Sequence, residues 1–166
     1  TGSLASSDGR DASTCAHVRH VVSALAGRPM FVSLDRGPAA SALASRDDVA
    51  TLAPRGPATP DHVIRTKPHA AVLTASTPDA IENDLERYAD EYRAYVRRHA
   101  SDDTQELDPA PRWVVVPGVG HLAVGPTLSH VKAVRDIARH TADIAIRAEA
   151  AGGWQPLSDA DLFRVE

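Results

Sequence analysis

One cysteine, Cys15, stands in the 166 residues. It excludes an internal disulfide and any multi-cysteine metal site, and reads as a small helix residue. Aromatic residues are scarce at 4%, while 43% of the chain is apolar with Ala and Val prominent, a profile that suits a packed α/β domain better than an all-β one. Lysine occupies only positions 67 and 132, and arginine supplies the remaining positive charge. Together with abundant alanine this points to a GC-rich bacterial genome. The net charge of −4 and pI near 6.0 favour neither nucleic acid nor an anionic membrane as the main partner. No apolar run approaches a membrane span, and no segment pairs the n-region and h-region of a signal peptide. A cytoplasmic location is expected.

What is present is enough chain for one domain with a real core. The opening TGSLASSDGRDAST is small, polar and aperiodic, so residues 1–14 are expected to be a flexible linker. The closing LSDADLFRVE carries no capping pattern, and 154–166 reads as a connection towards a following domain. Both ends look like cuts through a longer polypeptide, around a domain at 15–153.

Within that domain, Val18, Val21, Val22 and Leu25 fall at helical spacing before Gly27 and Pro29, predicting a helix over about 12–26. MFVSLD (30–35) reads as a buried strand, GPAASALAS and DDVATLAP as short helices, and HAAVLT (69–74) as another strand. Thr77 and Pro78 open the clearest helix, with Ile81, Leu85, Tyr88, Tyr92, Tyr95 and His99 on one face. Acids crowd its start and bases its end, which complements the macrodipole. RWVVVPG (112–118) and HLAVG (121–125) are strands. A long C-terminal helix from Thr127 or Ser129 ends at Gly152 and Gly153, with a stripe of Val131, Val134, Ala138, Thr141, Ala145 and Ala148. The sum is an α/β fold: a sheet of about four strands covered by helices.

Several constellations invite chemistry. Gly120 to Thr127 matches G-x-x-x-x-G-x-T, but Pro126 stands where a phosphate loop needs lysine, so the glycines read as a tight turn between strands. His17 and His20 read as surface histidines of a helix. His62, His69 and His121 sit at strand edges or loops and could form an open Zn²⁺ site if the fold joined them. ATPDHVIRTKPHAAVL (58–73) packs the densest ionisable chemistry against a core strand. If 61–67 is extended, Asp61, Val63, Arg65 and Lys67 point one way and His62, Ile64 and Thr66 the other. Arg65 and Lys67 would then offer two cations to a phosphate or carboxylate, with Asp61 orienting the arginine and His62 packed inward. The same residues also fit a loop with a structural Arg–Asp pair and an interior histidine.

RGPATPDHVIRTKP, YRAYVRRH, PRWVVVPGVGHLAVG and PLSDADLFRVE follow one another over about residues 15–166 in an order that resembles the bifunctional rhamnulose-1-phosphate aldolase/short-chain dehydrogenase family. TPDHVIRTK and PGVG carry the resemblance most specifically. The likeness is to the later part of that family's class II aldolase/adducin-like region, ahead of a Rossmann dehydrogenase. It implies a bacterial lyase of carbohydrate metabolism and rhamnose catabolism: Zn²⁺-dependent retro-aldol cleavage of a sugar phosphate, then NAD-dependent oxidation of the aldehyde. It further implies adjacent aldolase and dehydrogenase domains, and assembly into a homo-oligomer is expected.

Class II aldolases draw metal histidines from H-x-H and a later H-G, and this chain has no H-x-H. At the second motif the ligand position falls on Val119, with His121 two residues along and expected on the same side. Zn and NAD are therefore expected to belong to the full-length enzyme and not to be bound by this segment, whose expected role is structural or supportive through His62, Arg65, Lys67 and Asp61. Two other roles stay open, a non-catalytic oligomerisation or domain-docking module and an independent metal-dependent lyase using His62, His69 and His121.

Overall fold

A computed structural model describes residues 2–102 and 104–166, with side chains from Gly9 onward. The elements run α1 (Gly2–Ala26), β1 (Phe31–Asp35), α2 (Pro38–Ala44), α3 (Val49–Leu52), α4 (Val63–Thr66), β2 (Ala71–Val72), α5 (Pro78–His99), β3 (Trp113–Val116), β4 (Gly120–Gly125), α6 (Leu128–Ala150) and α7 (Asp159–Phe163). Short 3-10 turns at Ala53–Arg55 and Pro60–His62 precede β2 and α4. The sheet has order β1-β4-β3-β2. β4 is antiparallel to both neighbours, and β2 runs parallel to β3.

Alternation along the strands divides the interior into two layers. Val114, Val116, Leu122 and Val124 face a core shared with Val18 and Val22 of α1 and Ile81, Leu85 and Tyr88 of α5. Trp113, Val115 and Ala123 face Leu43 of α2, Leu52 of α3 and the α6 stripe of Val131, Val134, Ala138 and Ala142. Small residues on that stripe let α6 lie close against β4. Burying each large aliphatic side chain contributes roughly 1.5–3 kcal/mol.

Four expectations require correction. First, α1 begins at Gly2, where a flexible linker was expected. Its alanines and serines tolerate a helix, and once the Val18–Val22 face docks, each added residue extends an existing nucleus. Second, β2 is only Ala71–Val72, because it pairs with β3 at two positions before Asp84 Oδ2 accepts the Thr74 N–H and ends the run. Third, 61–67 is helical rather than extended. Lys67 N–H donates to Val63 O at 2.8 Å and the Thr66 hydroxyl to His62 O at 3.0 Å, closing turns that Pro60 initiates.

Fourth, the closing segment has a cap. The Ser158 hydroxyl accepts the Asp161 N–H at 3.1 Å, and Leu162 of α7 is buried. Phe163 stacks edge-on to Tyr95, with ring centroids 5.5 Å apart, so the tail packs on α5.

The β3–β4 turn holds the tightest approach. Val119 N–H donates to Val116 O, and a Cβ placed on Gly120 would lie 2.1 Å from the Asp35 carbonyl oxygen. Gly120→Ala is expected to destabilise the fold by about 3 kcal/mol through forced separation of β1 and β4, read as a lower urea midpoint at unchanged slope.

Candidate functional site

The helical turn at 61–67 separates the side chains that an extended chain would align. Val63 goes inward, whereas Ile64 and Arg65 are exposed. Asp61 is exposed and forms no ion pair with Arg65 among the described residues. His62 is half-buried, edge-on to His140 with ring centroids 6.1 Å apart. Lys67, expected beside Arg65, points the other way and is 3% exposed.

Lys67 is held in two unusual ways. Its backbone has φ 63° and ψ 172°, a region occupied almost exclusively by glycine, which costs on the order of 1–3 kcal/mol. Its ammonium donates to the Asp108 carbonyl oxygen and lies 3.6 Å from the centroid of the Tyr92 ring, a cation–π contact. Burial and the Arg112 cation, outweighing Asp108 and Glu166, push its pKa down to about 7. Behind Tyr92, whose hydroxyl donates to Glu166 Oε1 at 2.7 Å, burial raises the Glu166 carboxyl above its ordinary range.

Asp108 is the hub of a cationic cluster. Arg112 grips its carboxylate with two bonds of 2.9 and 2.6 Å, and Arg28 approaches it at 3.3 Å. Burial pushes the Asp108 carboxyl up, but the Arg112 bonds and the Lys67 charge outweigh it and hold it below the usual carboxylate range. His130, at the start of α6, reaches Arg65 O through Nε2 at 3.3 Å. Burial and then Arg112, with Arg65 and Arg28 adding, hold its pKa below the ordinary histidine value. Three guanidiniums therefore act on one imidazole.

The local sequence makes room for this meeting. A Cβ on Gly125 would lie 2.6 Å from the His130 ring, so only glycine lets the ring settle against the end of β4. The Thr127 hydroxyl accepts the His130 N–H and fixes the helix start. Arg65 has no ion pair among the described residues and 51% of the Arg28 side chain is exposed, so cationic groups remain open to a ligand.

The three histidines considered for zinc lie apart. His69 Nδ1–H donates to Pro54 O, 2.7 Å away, and the ring lines a cavity of about 410 Å³ with Tyr88, Tyr92 and Tyr95. His121 is fully buried on the other face of the sheet, 3.4 Å from Asp35 Oδ2 and edge-on to Trp113. Burial pushes its pKa down to about 4. Val119 packs in the α1–α5 core, so His121 does not share its side as expected; the turn at 117–119 breaks strand alternation. Among the described residues no three His, Cys, Asp or Glu side chains gather at a metal-binding spacing. These residues do not fit a zinc site.

The sequence matches the family model for aldolase class II, second domain, over residues 9–166. The chain belongs to that family. The uncharacterized oxidoreductase YuxG of Bacillus subtilis (strain 168) is 27% identical over 119 residues, 67% of this chain. The chain spans 17% of the length of that curated relative. No helix among the described residues is long and apolar enough to cross a membrane.

In this class II aldolase second domain, nothing in the spacing of Arg28, Arg112 and His130 along the chain links them to Arg65. The one available signal was His130, three residues past Thr127, an N-cap of the long helix.

The buried lysine gives a test. Because the fold lowers its pKa from 10.5 to about 7, the unfolded chain binds more protons across that window, and stability rises with pH through it. Urea unfolding should show a gain on the order of a few kcal/mol between those limits, and Lys67→Met should remove most of that slope.

Proposed function

We propose that this class II aldolase second domain is part of a bifunctional sugar-phosphate aldolase/short-chain dehydrogenase of the rhamnulose-1-phosphate type, a cytoplasmic enzyme in which it supports the aldolase site by holding the substrate's phosphate. The family supports the aldolase half of the reading. The oxidoreductase name of the longer relative supports the dehydrogenase half. The carrying observation is a cluster in which Arg28 and Arg112 hold the Asp108 carboxylate and the Arg65 carbonyl meets His130, whose pKa burial and then the same three arginines depress. That excess of positive charge suits a dianion, and the planar guanidiniums suit phosphate oxygens.

Zinc and NAD would be held by neighbouring domains. Residues 154–166 would lead on to the dehydrogenase. Of the loop residues expected to bind phosphate, Arg65 keeps a direct role. His62 and Asp61 would shape its loop, and Lys67 acts from behind.

A docking role has its own support in exposed apolar side chains around the same cations. Phe31 is 43%, Ile64 57% and Leu128 69% exposed. Phe31 pairs with Gly125, which backs His130, which meets Arg65. Such a face would suit contact with an adjacent aldolase domain or another subunit of a homo-oligomer, placing the anion site at a seam.

Calorimetric titration with dihydroxyacetone phosphate tests the reading. Arg65→Ala is expected to weaken binding about tenfold or more, the loss of one charge-assisted bond, with the unfolding midpoint unchanged. Unchanged affinity in Arg65→Ala and in Arg28→Ala would remove the phosphate role, and self-association lost on Ile64→Asp would favour docking instead.

A further inference from the structure

We infer that Lys67 is a positioning residue of the anion site: its buried ammonium ties the Arg65 turn to the Asp108 hub, and release of its proton slackens the site. The inference rests on the phosphate-site reading above and concerns that site's regulation. Its ground is connectivity. Arg65 lies two residues before Lys67 in one helical turn closed by the Lys67 N–H to Val63 O bond. The Lys67 side chain passes inward to the carbonyl of Asp108, the residue whose carboxylate holds Arg28 and Arg112. One side chain thus fixes the distance between the two halves of the cationic cluster.

The backbone makes this tie conditional. Lys67 occupies a glycine-type conformation although it carries a full side chain. The charged contacts to the Asp108 carbonyl and the Tyr92 ring hold it there. A neutral amine loses the cation–π attraction and the charge-assisted bond. The turn can then relax, and the Arg65 carbonyl withdraws from His130. The cluster loses a positive charge at the same step.

The groups facing Lys67 are Asp108 and Arg112 from the segment before β3, Tyr92 from α5 and Glu166 beyond α7, and Tyr88 of α5 feels the same Asp108, Arg112 and Glu166 charges. The tyrosines are pushed above their ordinary value by burial, and Asp108 is held below its own. Burial and then Arg112 hold His130 below the ordinary histidine value, which favours its neutral form. Between about pH 6.5 and 8.5 Lys67 is therefore the group of this cluster that changes charge, with Glu166 as the control to be made.

The experiment titrates the protein with sulfate, whose charge is constant across that range. Wild-type affinity is expected to fall about tenfold from pH 6.5 to 8.5. Lys67→Met is expected to bind weakly at both values, and Lys67→Arg to bind tightly with no pH dependence. Glu166→Gln should retain a fall in affinity with rising pH, moved to lower pH because the Glu166 charge that raises the Lys67 pKa is gone. Sulfate binding that is present but equally strong at both pH values, or a Lys67→Met variant with the wild-type profile, overturns the role of Lys67 alone. If no folded form binds sulfate at any pH, the phosphate-site reading falls and takes this inference with it.

Discussion

The burial of the Lys67 ammonium is the constraint on which one end of this molecule is arranged. Taking a charge out of water costs several kcal/mol unless other groups replace the lost hydration. Here the Asp108 carbonyl and carboxylate, the Tyr92 ring and the Glu166 carboxylate replace it, from three different parts of the chain. The 61–67 turn, α5, the segment before β3 and the C-terminal tail are brought to one point. Burial, with the Arg112 cation adding, still pushes the amine's pKa down to about 7.

A second ionic group occupies the opposite layer and behaves differently. Asp35 is buried at the end of β1, accepting the Gly37 N–H at 2.8 Å and bonds from Arg139 of α6. Burial pushes its carboxyl up, but the bonds from Arg139 and Gly37 outweigh that and hold it below the usual range. Its partner charge is half in solvent and its geometry is saturated, so it secures β1 to α6 as a fixed joint. The Lys67 group has an amine near its midpoint and a strained backbone. One ionic group locks the sheet to its helix; the other leaves room for adjustment beside exposed arginines.

Much of the scaffold was legible in the chain. The four-three spacing of α5, the valine run of β3 and the small-residue stripe of α6 each encode local structure through side-chain periodicity, and they fold as their patterns indicate. The 61–67 turn did not follow. An extended 61–67 would align Arg65 with Lys67, but Pro60 and the Thr66 hydroxyl favour successive turns, and among the described residues no neighbouring strand offers its backbone there. The first half of α1 has no apolar periodicity in its sequence to mark it, and the five-residue α7 leaves little periodic signal.

The sequence by itself determined the α/β class, the major helices and the presence of two cations in the 61–67 segment. It also determined that Val119, an aliphatic residue, occupies the position where the family resemblance calls for a metal ligand. Only the tertiary structure decided that one cation faces solvent while the other is buried. It alone brought Arg28, Arg112 and His130 from distant parts of the chain to the first of them. The physical reason is range. Helices and strands arise from contacts a few residues apart, whereas the field at a binding site sums charges over space, whatever their separation along the chain.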